Sequence, residues 1–112
     1  IQSAHNENIK LPNVFYCNID FRTACALIKI CDLYVGPEGG LGHASAAFKK
    51  PAIILFAGWI HPNVTGYKFH QNIYISIDGS PCGSLSFECE HCKECMRKIT
   101  IQTFIDALNK IN

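Results

Sequence analysis

Between residues 36 and 43 the chain reads Gly36-Pro37-Glu38-Gly39-Gly40-Leu41-Gly42-His43, which sets a carboxylate and an imidazole among closely spaced glycines. Glycine has no Cβ, so the backbone here can approach a bound molecule closely. The unpaired N–H groups of a helix starting at this point would favour a phosphate. The glycines alone leave two readings open: a phosphate-binding loop, or a tight turn that only packs a helix against its strand. The spacing is neither the G-x-G-x-x-G of a dinucleotide fold nor the G-K-[ST] of an ATPase P-loop, so neither class is supported. Glu38 is placed to accept hydrogen bonds from sugar or ribose hydroxyls, and His43 to donate to a phosphate or a sugar hydroxyl. Each also has a plainer role, Glu38 as a negative charge at a helix N-terminus and His43 as a partly buried side chain bonded to a backbone carbonyl.

A second concentration of reactive side chains lies downstream. Cys82, Cys89, Cys92 and Cys95 crowd together with His91 among them. Thiolates and imidazoles at C-x-x-C spacing can hold zinc in a tetrahedron. A structural zinc that staples the loop is one reading. The other is a set of reduced thiols packing a turn, or an incidental disulfide from Cys82 to Cys89 or Cys92. The spacing fits neither common ferredoxin pattern. Four protein ligands would leave no open position, so a zinc held by all four cysteines would be structural and not catalytic. The remaining cysteines, Cys17, Cys25 and Cys31, fall in apolar-patterned segments and read as small buried hydrophobes.

The elements that position these groups alternate. Val14-Phe15-Tyr16-Cys17 is a β-prone run. Asp20 is a helix N-cap, and Phe21, Ala24, Cys25, Ile28 and Cys31 then recur as the stripe of an amphipathic helix. Leu33-Tyr34-Val35 is a strand stopped by Gly36-Pro37. After the glycine loop a short helix runs from Ala44 to Phe48, with Lys49-Lys50 suited by charge to its end and Pro51 blocking its continuation. Ala52-Ile53-Ile54-Leu55-Phe56 is a continuous apolar strand, as found where a parallel sheet is buried on both faces. A polar loop from Ala57 to Gly66 leads to a strand over residues 72–77. Ile101, Phe104, Ile105, Leu108 and Ile111 predict a terminal helix, capped by Thr100 and stapled by Ile99 onto Phe104. Strand and helix in alternation imply βαβ units, hence an α/β fold with a Rossmann-like parallel sheet flanked by helices.

The totals agree with one packed domain. Hydrophobic residues make up 48% of the 112-residue chain and charged residues 17%, the reverse of a disordered composition. The formal net charge is +1 with no basic stripe, which argues against a nucleic-acid partner. The longest uncharged apolar stretch, Pro51 to Ile60, is roughly half of what a membrane-spanning helix needs. Ile1 to Asn6 lacks the basic and apolar regions of a signal peptide, so a reducing cytosolic compartment is expected. The absence of an initiator Met suggests a piece of a longer protein.

The stretch from Asp32 to Pro51 resembles the donor-site signature of the heptosyltransferase family of glycosyltransferases. That signature reads as aspartate, apolar strand, acidic residue, two small residues with glycine second, His, then an alanine-rich helix ending before Pro. Glu38 stands where the family usually has Asp and Gly39 where it often has Thr or Ser, while Gly40 and His43 match directly. Pro62 before Thr65-Gly66, and Cys92-x-x-Cys95-Met96 ahead of a terminal amphipathic helix, also resemble the family, so the likeness runs from about Phe21 to the end.

The resemblance implies the C-terminal, donor-binding half of a two-domain GT-B enzyme, with residues 1–112 forming one nucleotide-sugar-binding domain and 82–95 a Cys-rich loop within it. It further implies an inverting transfer from a nucleotide-diphosphate sugar in bacterial surface-glycan or lipopolysaccharide synthesis, with no cofactor required for catalysis. Gly39, Gly40, Leu41 and Gly42 would hold the diphosphate, Glu38 would face the donor sugar, and His43 would support sugar or phosphate. Thr65 and Gly66 would help close the pocket, with Tyr67 or Trp59 near the base. The catalytic base would lie in an N-terminal acceptor domain that this sequence does not contain, so the fragment would be inactive alone. Its acceptor would be a glycan or glycolipid, and its place the cytoplasm or the inner face of the membrane. An apolar face orphaned from the other domain could support a homo-oligomer. The competing reading is a small zinc-stabilised binding module held by Cys82, Cys89, Cys92 and Cys95, without catalytic activity.

Overall fold

A computed structural model describes residues 11–86 and 88–111. The opening residues, read above as lacking a signal peptide, lie outside that span. The sheet has three parallel strands in the order β1 (Tyr34–Pro37), β2 (Ala52–Phe56) and β3 (Gln71–Tyr74). Helix α1 (Phe21–Ile30) precedes β1, α2 (Gly40–Ala47) joins β1 to β2, and a single turn α3 (Pro62–Thr65) lies between β2 and β3. Two helices, α4 (Glu90–Arg97) and α5 (Ile101–Asn109), follow β3. The fold is the expected α/β arrangement, a Rossmann-like parallel sheet flanked by helices.

Side chains of β2 alternate between two cores. Ala52, Ile54 and Phe56 face one side with Tyr34, Ile60 and Tyr74, and α2 covers that side with Gly42 close to Ile54. Ile53 points to the other, joining Ile73 and Ala107 under Leu33, Leu55, Ile99, Phe104 and Ile111. The two-residue period of a strand thus puts one helix on each face of the sheet.

The caps are those expected. Asp20 accepts from the Thr23 N–H at 2.8 Å and Thr100 from the Thr103 N–H at 3.1 Å. That hydrogen bonding lowers the Asp20 carboxyl below the ordinary value, the Thr23 N–H contributing most.

Several sequence expectations shift. Val14 to Cys17 forms no strand, and Phe15 is 88% exposed, because among the described residues β1 has no neighbour on its outer edge. That free edge also explains why β1 runs through Gly36 and Pro37 instead of stopping before them. Proline lacks an N–H, and an edge strand needs none on its open side. Conversely β3 ends at Tyr74 and not at residue 77. Its partner β2 ends at Phe56, and a turn held by Ile77 and Ser80 carries the chain away. Helix α2 begins at Gly40, four residues before the expected start at Ala44. Cys17, Cys25 and Cys31 are half-buried, and the Cys31 thiol donates to the Ile28 carbonyl at 3.1 Å. Among the described residues no helix is long and apolar enough to cross a membrane.

Candidate functional site

The registers Pro37 with Leu55 and Phe56 with Tyr74 bring the three strands to a common C-terminal edge. In open α/β sheets that edge is where ligands bind. Glu38 and Gly39 leave β1 there and α2 begins at once. Gly39 adopts φ 152°, a backbone conformation that side-chain-bearing residues rarely take, and no neighbour would meet a Cβ placed on it. Its glycine is therefore required by the turn and not by crowding. Gly39 is the N-cap and offers no side chain, so the first amides of α2 have no side-chain cap and remain available to an acceptor.

The Glu38 side chain is only 13% exposed, and its Oε1 lies 3.9 Å from His43 Nε2. The other imidazole nitrogen, Nδ1, is 3.0 Å from the Tyr67 hydroxyl. His43 is thus an exposed side chain aligned by a phenol, not a buried one bonded to a carbonyl. The Tyr67 carbonyl in turn accepts from Asn72 Nδ2 at 3.0 Å and from the His70 N–H at 3.1 Å. This line of residues ties the β1–α2 turn to the α3–β3 connection.

Of the donor residues read from sequence, Glu38, Gly39, Gly42, His43, Thr65 and Gly66 meet around one small cavity of about 10 Å³. That is space for about one water, not for a nucleotide. Leu41 and Gly40 sit on the opposite side of the turn, where Pro37, Glu38 and Gly39 join them in a groove of about 530 Å³ against α1 and the open edge of β1. The small cavity is lined in its depth by His70, which is 4% exposed, and by Asn72. Both His70 ring nitrogens, Thr65 Oγ1 and Asn72 Oδ1 are buried without a hydrogen-bond partner. Burial lowers the His70 pKa, opposed by the Lys50 backbone.

A second and larger space lies on the far side of Glu38. A cavity of about 680 Å³ is bounded by Pro37, Glu38, Ala57 and Trp59 from the strand ends, by Ser84 to Ser86, and by Cys89, Cys92, Lys93, Met96 and Arg97 of the α4 segment. Its walls are mostly apolar, with two cations at the rim. Lys93 pairs with Glu88 and Glu90 at 3.0 Å each, and Arg97 with Glu90 and Glu94 at 3.7 and 3.6 Å. Trp59, and not Tyr67, is the aromatic of this space. Sequence reading gave Lys93 and Arg97 no notice and Met96, named only in the family's ending, no place in the site. The one available signal was their i, i+3, i+4 spacing, which puts them on a single face of a helix.

Helix α4 is seated by backbone proximity. A Cβ on Gly58 would fall onto the buried Cys95 sulfur and within 2.7 Å of the His91 ring. The Cys82 and Gly83 amides donate to the Gly58 and Trp59 carbonyls at 2.8 and 3.0 Å, drawing the Cys-rich segment against the loop after β2. His91 Nε2 lies 3.1 Å from Ser80 Oγ.

Cys82, Cys89 and Cys92 converge, their sulfurs all within 4.8 Å of one another, in an arrangement that could hold a metal ion. Cys95 does not join them. It is fully buried, with His91 Nδ1 at 3.9 Å and Ser80 Oγ at 3.8 Å from its sulfur. Of the four cysteines read as candidate ligands three are brought together and Cys95 is set apart, because α4 turns it down onto Gly58. The Cys92 backbone N–H facing the Cys89 sulfur lowers that thiol to about 7, while burial, followed by the two neighbouring thiols, pushes Cys92 up to about 12.

The sequence profile of glycosyltransferase family 9 (heptosyltransferase) matches residues 10–92. Among curated proteins, lipooligosaccharide heptosyltransferase 2 of Campylobacter jejuni subsp. jejuni serotype O:6 is 24% identical over 115 residues, covering 99% of this chain. The chain spans only 35% of that relative's length. No solved structure matches it significantly. With the profile covering well over half of its length, the chain belongs to glycosyltransferase family 9, the heptosyltransferase family.

Proposed function

We propose that this chain is the donor-binding part of an inverting, heptosyltransferase-like glycosyltransferase, and that its ligand is a nucleotide-diphosphate sugar. The observation that carries the reading is the position of Glu38. It is a largely buried carboxylate at the strand edge, shared between the first turn of α2 and the 680 Å³ cavity. A cavity of that size falls in the range that holds a drug-sized molecule. Trp59 would stack on the base, and the open amides at the start of α2 would face the diphosphate. Lys93 and Arg97 would add positive charge at the rim, and Glu38 would accept from donor hydroxyls. His43, held by Tyr67, would support the sugar or the phosphate.

In an inverting transfer the acceptor oxygen bonds to the anomeric carbon as the carbon–oxygen bond to the diphosphate breaks, leaving negative charge on the departing phosphate. Fixed N–H dipoles and cations aimed at that oxygen would stabilise the transition state more than the bound donor. The chain spans 35% of the curated relative, so the remaining part would supply the acceptor domain and the base. That relative's name suggests a lipooligosaccharide-type acceptor, which fits a role in bacterial surface-glycan synthesis.

Amide NMR of the labelled chain titrated with ADP, UDP, GDP and their sugar conjugates tests this. Shifts localised to Gly39, Gly40, His43 and the Trp59 indole with one nucleotide are expected. A well-folded sample that responds to none of them would sink the donor assignment. The convergence of Cys82, Cys89 and Cys92 favours a second reading, a zinc-stabilised binding module without catalytic activity. That version expects unfolding by chelators together with indifference to nucleotides.

A further inference from the structure

We infer that Cys82, Cys89 and Cys92 form a three-thiolate site for one thiophilic divalent ion, zinc by preference, whose fourth position is filled by a small exogenous ligand such as water. The argument is geometric. In a tetrahedral thiolate site with bonds of about 2.3 Å, neighbouring sulfurs stand about 3.8 Å apart. Cys82 Sγ is 3.8 Å from Cys89 Sγ and 3.6 Å from Cys92 Sγ, two edges that match such a tetrahedron, and the third edge is within 4.8 Å. A disulfide would need sulfurs at about 2.05 Å. Thiols at these separations also share S–H···S hydrogen bonds, and what marks the group as a site is that three of them gather at one point.

The backbone is arranged for the same purpose. Cys89 is the N-cap of α4 and Cys92 lies one turn in, a spacing that aims both sulfurs to one side at the positive end of the helix. Cys82 arrives from the opposite direction, fixed by its amide to the Gly58 carbonyl at 2.8 Å. Between Cys82 and Cys89 the described residues form neither helix nor strand, and Leu85 is 79% exposed. With no core of its own, this stretch is where a metal would replace packing as the source of order.

Among the described residues no further Cys, His, Asp or Glu joins the group. Cys89 and Cys92 also line the large cavity, so the ion would stand in its wall. Each thiol that binds gives its proton to solvent. The site goes beyond donor binding and does not rest on it.

The reduced full chain, stripped with chelator and dialysed, is titrated with Zn²⁺ alone and in parallel with Co²⁺. One equivalent per chain is expected, with the intense visible absorption of tetrahedral cobalt and a charge-transfer intensity of three thiolate bonds. Stoichiometric binding is lost in Cys82→Ser, Cys89→Ser and Cys92→Ser and kept in Cys95→Ala. A reduced, folded chain that takes up no ion would overturn the site. So would a four-thiolate cobalt spectrum, which is read on the unaltered chain and needs no variant to fold. Neither readout involves a nucleotide, so failure here and failure of the donor reading are separate results.

Discussion

Two regions meet at the C-terminal edge of the sheet and are built in opposite ways. The β1–α2 turn is made of backbone. Its glycine at 39 takes a conformation others avoid, its first amides have no side-chain cap, and its side chains close on one another from Glu38 through His43 to Tyr67 around a space of about 10 Å³. The Cys-rich segment and α4 are made of side chains. They stand off from the sheet, leave a cavity of about 680 Å³, and rest on one buried sulfur and three converging thiols, with ion pairs confined to their own surface. The recognisable motif lies in the first region and the larger cavity in the second. Glu38 borders both.

The largest effects should come from crowding the second region. Gly58→Ala places a methyl on the Cys95 sulfur and 2.7 Å from the His91 ring, both of which are held from behind. Overpacking of this kind costs about 1–3 kcal/mol. A urea midpoint well below that of the parent, with loss of the cavity's ligand, is the expected outcome. In the first region Gly42→Ala meets only ordinary contacts, Ile54 Cδ1 at 3.5 Å and the Pro37 carbonyl at 3.8 Å, inside a helix. There alanine should stabilise by up to about 1 kcal/mol. Equal destabilisation by both changes would break the contrast.

Next comes binding. If the base stacks in the second region, Trp59→Ala should weaken nucleotide affinity by about 1–3 kcal/mol, read by calorimetry. Tyr67→Phe should leave that affinity nearly unchanged. The reverse order would take the base off Trp59 and overturn its placement in the large cavity.

Why the first region was legible and the second was not follows from how each is held. Asp20 and Thr100 announce their helices because a cap is a local event, and the run from Ala52 to Phe56 announces a buried strand by composition. The glycine turn was readable for the same reason, since the requirement at Gly39 is local. Helix α4 has one buried residue, Cys95, and its ion pairs from Lys93 and Arg97 run along its own exposed surface, so it shows no apolar stripe. Its C-x-x-C spelling suggests a loop of metal ligands.

The cavity joins Trp59 to Met96, far apart in sequence, and no pattern within either segment encodes their meeting. Even for α5 the stripe was only half right. Phe104 and Ala107 face the core while Ile101 is 79% exposed, because the sheet selects one line of a face that is apolar on two.

A smaller effect probes the buried polar floor of the first region. Burial lowers the His70 pKa from its ordinary 6.5, so the folded chain keeps the imidazole neutral where the unfolded chain takes up a proton. The sign follows from linkage. Stability is greatest above pH 6.5, falls as pH drops below it, and levels once the folded-state value is passed. Urea midpoints above and below that pH, compared between the parent and His70→Phe, should show this component of the acid loss removed. A component unchanged by the substitution would mean that His70 is not the group responsible.

The smallest effect isolates the line from Glu38 to Tyr67. Tyr67→Phe removes the hydroxyl that stands 3.0 Å from His43 Nδ1 and little else, since the ring stays packed near Phe69 and His70. A partly exposed hydrogen bond of this kind is worth about 0.5–1.5 kcal/mol, so the fold should survive with a slightly lower melting point. What should change is the imidazole itself. While the phenol holds Nδ1, one tautomer presents Nε2 toward Glu38, 3.9 Å away. Without it the ring is free to exchange. Nitrogen-15 shifts of His43 should therefore move from one dominant tautomer to a mixture. Unchanged shifts would show that the small cavity's walls, and not Tyr67, hold the ring, and would remove Tyr67 from the alignment of the β1–α2 turn.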